Sequence, residues 1–153
     1  MAPASPRTDT AQAPTAPPEG AWRRVYKGLC DAQRLRILHL LRAGPLCVCH
    51  LTEILGTHQV QVSKQLRYMR DLGLLSVRRH AQWRIYRIRE DSSPLLEANL
   101  RCLEDCYGED LRFAEDLRRR DEVLFRANDE EGGCSVVPRD APPWPDAVPD
   151  ARS

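Results

Sequence analysis

No run of this chain is apolar over anything near the roughly 18–20 residues that a membrane-spanning helix needs. The first residues also lack the apolar centre of a secretory signal. A cytoplasmic location, where thiols stay reduced, is therefore the expectation, with no membrane partner. Nor does the sequence hold a Gly-rich phosphate loop, a carboxylate pair or a Ser–His–Asp arrangement, so no enzyme is expected. Internal repeats are missing too. Net charge is only +1 and names no partner by itself. One local deficit says more: between positions 57 and 89 acids almost vanish. Asp71 alone stands against Lys64, Arg67, Arg70, Arg78, Arg79, Arg84, Arg87 and Arg89. Such a stretch is a candidate polyanion-binding face, with an ordinary solvated surface as the alternative.

The 153 residues allow one domain with tails. Residues 1–20 are rich in Ala, Pro and Thr without apolar periodicity, and residues 128–153 are acidic and then Pro-rich. Neither buries enough apolar surface to offset its ordering entropy, so both are expected to be mobile tails. The folded domain is expected over 21–127. Six cysteines, at 30, 47, 49, 102, 106 and 134, suggest metal or redox chemistry in a reducing compartment.

Apolar spacing predicts helices over 21–30 (Trp22, Val25, Tyr26, Leu29) and 31–44, the second capped by Asp31 and ended by Gly44-Pro45. A third is predicted over 47–55, closed by Gly56. A fourth, from Thr57 or His58 to Leu72, buries Val62, Leu66 and Met69 and stops at Gly73. Period-two alternation over 74–90 then predicts a two-stranded hairpin with a connector at His80-Ala81-Gln82. Ser93 and Pro94 open a long last helix with a stripe of Leu96, Leu100, Leu103, Tyr107, Leu111 and Ala114, weakest at Gly108. This order is mainly α with a β-hairpin wing, a winged helix-turn-helix. The last stripe, from about 93, is longer than so small a core can cover, which predicts a homodimer joined by terminal helices.

With Val62, Leu66 and Met69 inward, Thr57, Gln61, Lys64 and Tyr68 point outward. Gln and Lys there suit base edges in a major groove. Ser63 and Arg67 suit phosphates, and Arg78, Arg79 and Arg84 of the wing suit the flanking backbone of double-stranded DNA. Thr57, His58 and Gln59 belong to the same candidate face.

The segments LCDAQRLRILHLL, LCVCHL, VSKQLRYMRDLGLL and VRRHAQWRIYRI occur in that order. Together they resemble the ArsR/SmtB family of dimeric metal- and metalloid-responsive repressors over about 22–107. The resemblance implies a winged-helix dimer that leaves its operator when a toxic soft ion binds. The LCVC stretch resembles that family's arsenic- and cadmium-type motif at Cys47 and Cys49, and the recognition helix falls at about 58–71. The chain departs from the pattern at His50, where an acid is usual, at Thr52, where a third cysteine stands in arsenic sensors, and at His58 in place of a serine cap.

Soft thiolates select soft centres. Arsenite or antimonite is the expected inducer, with cadmium, lead and zinc as alternatives and no organic cofactor. On a finished helix Cys47 and Cys49 point about 200° apart, so their convergence requires an irregular or opened first turn. Cys102 and Cys106, at i and i+4 on the last helix, are candidate further ligands or a separate site. Cys134 is an outside candidate at an entropic cost. A thiol-redox or persulfide sensor on the same fold is the second reading. A thiol enzyme is a third, for which a base beside the nucleophile is wanting.

Overall fold

Helix starts follow from side chains that replace missing backbone partners. The computed structural model describes residues 20–108, 110–129, Cys134 and 143–146. After α1 (Ala21–Leu29), the Asp31 carboxylate accepts from Arg34 N–H at 3.0 Å and starts α2 (Ala32–Arg42). A two-residue strand β1 (Leu46–Cys47) leads directly into α3 (Val48–Leu55). Gly56 then turns the chain at φ 62°, a left-handed conformation that costs glycine nothing. The fourth helix, α4 (Gln59–Asp71), follows and ends before Gly73 at φ 78°. Strands β2 (Leu75–His80) and β3 (Trp83–Ile88) form the hairpin. The expected three-residue connector is two residues, Ala81 and Gln82, because His80 pairs with Trp83.

The sheet has three strands in the order β1-β3-β2, all antiparallel, rather than two. Cys47 lies opposite Ile85, and Leu46 opposite Tyr86. A two-residue strand is too short for alternation to announce it.

The helices share one core of Ile37, Leu38, Leu40, Leu51, Ile54, Val62, Leu66, Met69, Leu96 and Leu100, joined by Leu46, Leu75 and Tyr86 from the sheet. The three apolar positions assigned inward on α4 are fully buried.

The last helix is not continuous. Helix α5 (Pro94–Tyr107), capped by the Ser93 hydroxyl, stops at Gly108, and α6 (Leu111–Asp129) begins after it. Helix α6 packs on α2 and α3 of its own chain. Leu111 and Ala114, placed on the sequence stripe, are exposed, whereas Val123 is buried and Leu117 and Leu124 lie against the core. Breaking at Gly108 lets a different side of α6, with Leu117, Val123 and Leu124, use the intramolecular core, and leaves Leu111 and Ala114 of the stripe uncovered.

Alternation sorts the sheet into two faces. Leu46, Leu75, Val77, Tyr86 and Ile88 meet the helices. Cys47, Ser76, Arg78, Ile85 and Arg87 share the opposite face. That outer face would ordinarily be wet, yet Ile85 and Cys47 are buried. The described residues of the C-terminal segment, expected to be mobile, are packed there. The Trp144 ring lies 4.4 Å from the guanidinium carbons of both Arg78 and Arg87. The Asp146 carboxylate accepts from Arg87 at 3.3 Å and from Glu90 N–H at 3.0 Å. Residues 1–19, the bulk of the expected N-terminal tail, lie outside the described residues.

Candidate thiol site and nucleic-acid interface

Cys47 is both the last residue of β1 and the N-cap of α3, with extended backbone (φ −79°, ψ 155°). Cys49 is one residue into the helix. Because Cys47 stands outside the helical turn, its thiol turns toward that of Cys49 with the helix intact. Of the two expected routes, an irregular start or an opened first turn, the N-cap position of Cys47 supplies the first. Cys134 supplies a third sulfur from the C-terminal segment, and all three sulfurs lie within 4.8 Å of one another. Cys47 and Cys134 are buried and Cys49 is exposed.

The cluster favours a single negative charge. Hydrogen bonds from the thiols of Cys134 and then Cys47 hold Cys49 far below the usual thiol range. The bond to Cys134 draws Cys47 down, but its bond to Cys49 and its burial outweigh that and push it up to about 11. Cys134 is raised by its bonds to both partners and by burial. His50 serves the helix start: its Nδ1 accepts from Cys47 N–H at 3.4 Å. Burial lowers its pKa, which keeps the ring neutral for that role.

Cys102 and Cys106 are exposed on α5 and are not part of this cluster; Cys30 is exposed as well. The structure brings Cys134 to the LCVC pair instead. A third thiol so far along the chain left one sequence signal, its being a cysteine. Spacing could not connect it to the pair.

Beside the sulfurs is a cleft of about 260 Å³ lined by Cys47, Cys49, Gln59, Ser63, Trp83 and Arg84. The thiols thus sit where the first turn of α4 meets the tip of the hairpin. Gln82 lines it too; in the sequence Gln82 and Trp83 stood in the expected connector and strand, not among the candidate site residues.

Along α4, His58, Gln59, Val60, Gln61, Lys64, Arg67 and Tyr68 are exposed, with Thr57 and Ser63 half-buried. His58 is the N-cap but makes no side-chain cap bond. Thr57, an alternative cap, instead donates to Gln61 Oε1 at 2.7 Å. Arg34 of α2 stacks on Tyr68 at 4.9 Å and donates to Gln65 at 3.1 Å, which fixes that end of the face. In the wing, Arg79 and Arg84 are exposed at the tip. Arg78 lies under Trp144.

The sequence profile described as "Bacterial regulatory protein, arsR family" matches residues 31–77, which span α2 to β2. Arsenic resistance transcriptional regulator ArsR1 of Pseudomonas putida is 37% identical over 86 residues, 56% of this chain and 67% of that protein. The chain belongs to the ArsR family. The arsenical resistance operon repressor of Bacillus subtilis is 32% identical over 90 residues, 58% of this chain and 86% of that protein. Among solved structures, HlyU from Vibrio cholerae superposes with a TM-score of 0.53 at 28% identity, covering 59% of this chain and 95% of that one. A homodimeric winged helix-turn-helix DNA-binding domain from Mycobacterium bovis, a possible ArsR-family regulator, gives 0.50 at 25% identity, covering 72% and 94%. This ArsR-family chain is accordingly a winged helix-turn-helix transcriptional regulator rather than an enzyme. Among its described residues no helix is long and apolar enough to cross a membrane.

Proposed function

We propose that this ArsR-family regulator is a homodimeric repressor that leaves its operator when trivalent arsenic or antimony is taken by Cys47, Cys49 and Cys134. One observation carries the reading: three sulfurs converge within 4.8 Å at the joint between the recognition helix and the wing. Three thiolates match the trigonal demand of arsenic or antimony, and leave tetrahedral zinc or cadmium one ligand short. His50 does not make up the deficit through Nδ1, which is engaged at the helix start. The relatives named for arsenic resistance support the same class of inducer.

Operator reading falls to α4. Gln59, Gln61 and Lys64 offer donors and acceptors to base edges, Ser63 and Arg67 face phosphates, and Arg79 and Arg84 track the backbone from the wing tip. Val60, 78% exposed on that face, suits a thymine methyl. The dimer is supported by Trp22 and Tyr26, which remain about half exposed on α1, and by the homodimeric M. bovis relative. Coupling follows from placement. Cys47 is paired with Ile85 of β3 in the sheet, and Cys49 belongs to the helix that leads into α4. Drawing their sulfurs together acts on both DNA-contacting elements, on a scale of about 1–3 kcal/mol.

The test is release of a duplex selected from random DNA, titrated with sodium arsenite under reducing conditions. Cys47→Ser, Cys49→Ser and Cys134→Ser should each bind the duplex and fail to release it, while Cys102→Ser and Cys106→Ser release it normally. Normal release by the first three variants would refute the proposal.

A second reading has one observation in its favour. Cys49 is an exposed, low-pKa thiol beside two others, the setting in which an oxidant such as a peroxide or persulfide reacts. Release driven by peroxide but not by arsenite would select it.

A further inference from the structure

The wing carries a clasp that neither thiol chemistry nor DNA reading explains. Trp144 is inserted against Arg78 and Arg87 on the outer face of the hairpin, 4.4 Å from each guanidinium carbon. Asp146, with its side chain 2% exposed, pairs with Arg87 and accepts from Glu90 N–H. The Ser76 hydroxyl donates to it as well. A buried carboxylate with three donors, next to an aromatic ring in contact with two arginines, is a built docking site for this chain's own segment. The face it occupies also holds Cys47, and the same segment carries Cys134 into the thiol cluster.

We propose that residues 143–146 form a strap that competes with DNA for the wing, and that joining Cys134 to Cys47 and Cys49 holds the strap closed. Trp144 covers the face of the Arg78 guanidinium and leaves its edge N–H groups able to donate, but the strap occupies the side of the hairpin from which a phosphate would reach them. When the strap is docked, one wing cation is withdrawn from the duplex, and the Asp146 carboxylate stands on the same hairpin. When DNA engages Arg78, Trp144 is displaced. Only nine residues separate Cys134 from Trp144, so a ligand that fixes the cysteine keeps the tryptophan at high local concentration beside its site. The ligand half of this proposal rests on the thiol reading above; the competition half does not.

The experiment uses the full chain and the selected duplex. Without arsenite, Trp144→Ala and Asp146→Asn should bind the duplex several-fold more tightly than wild type. Their plots of log affinity against log salt should be steeper by about one, the signature of one added phosphate contact. Arg78→Ala should erase both differences. Equal affinity and slope in the Trp144 variant would overturn the competition. With arsenite, the strap variants should show a release ratio about ten-fold smaller than wild type; an unchanged ratio would overturn the ligand lock. Wild type that fails to respond to arsenite at all would instead defeat the inducer assignment. A chain with Trp22→Phe and Trp83→Phe leaves Trp144 as the sole reporter. Its emission should shift to the red and become more quenchable on adding DNA, then revert with arsenite. Emission indifferent to DNA would overturn the strap.

Discussion

Asp116 of α6 grips Arg36 of α2 at two points, with both nitrogen–oxygen distances 2.7 Å. The carboxylate is buried and the guanidinium keeps part of its surface in water. Their hydrogen bond, stronger here than the opposing burial, raises the Arg36 pKa. This pair fastens the helix that the Gly108 break turned back onto the core.

Replacing Asp116 with Asn keeps the shape and removes the charge. The expected cost is about 1–3 kcal/mol, discounted from a fully buried pair because Arg36 is partly solvated. The urea midpoint should drop with the slope of the transition unchanged. An unmoved midpoint would mean that α6 is held by its apolar side and by the contacts of Arg119, Arg120 and Arg126, without this pair.

Ala81, the first residue of the hairpin turn, has φ 50°. A left-handed alanine costs about 1–2 kcal/mol, and asparagine tolerates that conformation better. Ala81→Asn should therefore stabilise the domain by about 0.5–1 kcal/mol, and Ala81→Val should destabilise it. Equilibrium unfolding of the two variants checks the order. If valine matches asparagine, the turn carries no strain.

His39 on α2 presents its ring edge-on to Phe113 of α6, with centroids 5.3 Å apart. Burial lowers its pKa below the ordinary value, against the pull of Glu104 and Asp116 and with the help of Arg42. The unfolded chain therefore takes up this proton more readily than the folded one. Stability is complete above the unfolded pKa, about 6.5, and is lost as pH falls through and below it. His39→Leu should flatten the fall in urea midpoint between about pH 7 and 5. An equally steep fall in the variant would assign it elsewhere, His50 being the next buried imidazole.

Inducers can be told apart by their protons. Cadmium displaces a proton from every protonated thiol it takes, whereas arsenous acid gives up three hydroxides, two leaving as water with the protons of Cys47 and Cys134 and the third as hydroxide displaced by the Cys49 thiolate. Apparent affinity for cadmium should climb steeply between about pH 6 and 8, and affinity for arsenite should not. Parallel release titrations at several pH values measure both slopes. A steep rise for arsenite would show that its uptake is not simple exchange of thiols for hydroxides.

The sequence was most readable where one period governs one element. Val62, Leu66 and Met69 marked the inner side of α4, and the alternation about Trp83 and Ile85 marked the wing. Asp31 and Ser93 announced their helices through the groups they satisfy. Period fails where pairing is distant or brief. Leu46 and Cys47 make a strand too short to alternate, and that strand is what frees the Cys47 thiol from the helical turn. Cys102 and Cys106 looked like partners because one helix turn separates them, a local criterion. Cys134 joins the pair from a segment whose Trp144 and Asp146 contact the sheet, an arrangement that no spacing encodes. An aromatic set among prolines at PPWPD was the one hint that the segment had somewhere to dock.

Supplying the third sulfur from beyond the final helix separates two kinds of change that evolution or an engineer could make. On the proposed reading, the appetite of the site for one toxic element or another can be rewritten at position 134 while Trp144 and Asp146 keep their places on the wing. Grafting altered tails onto an unaltered headpiece is thus a natural route from this scaffold to a panel of biosensors sharing one promoter.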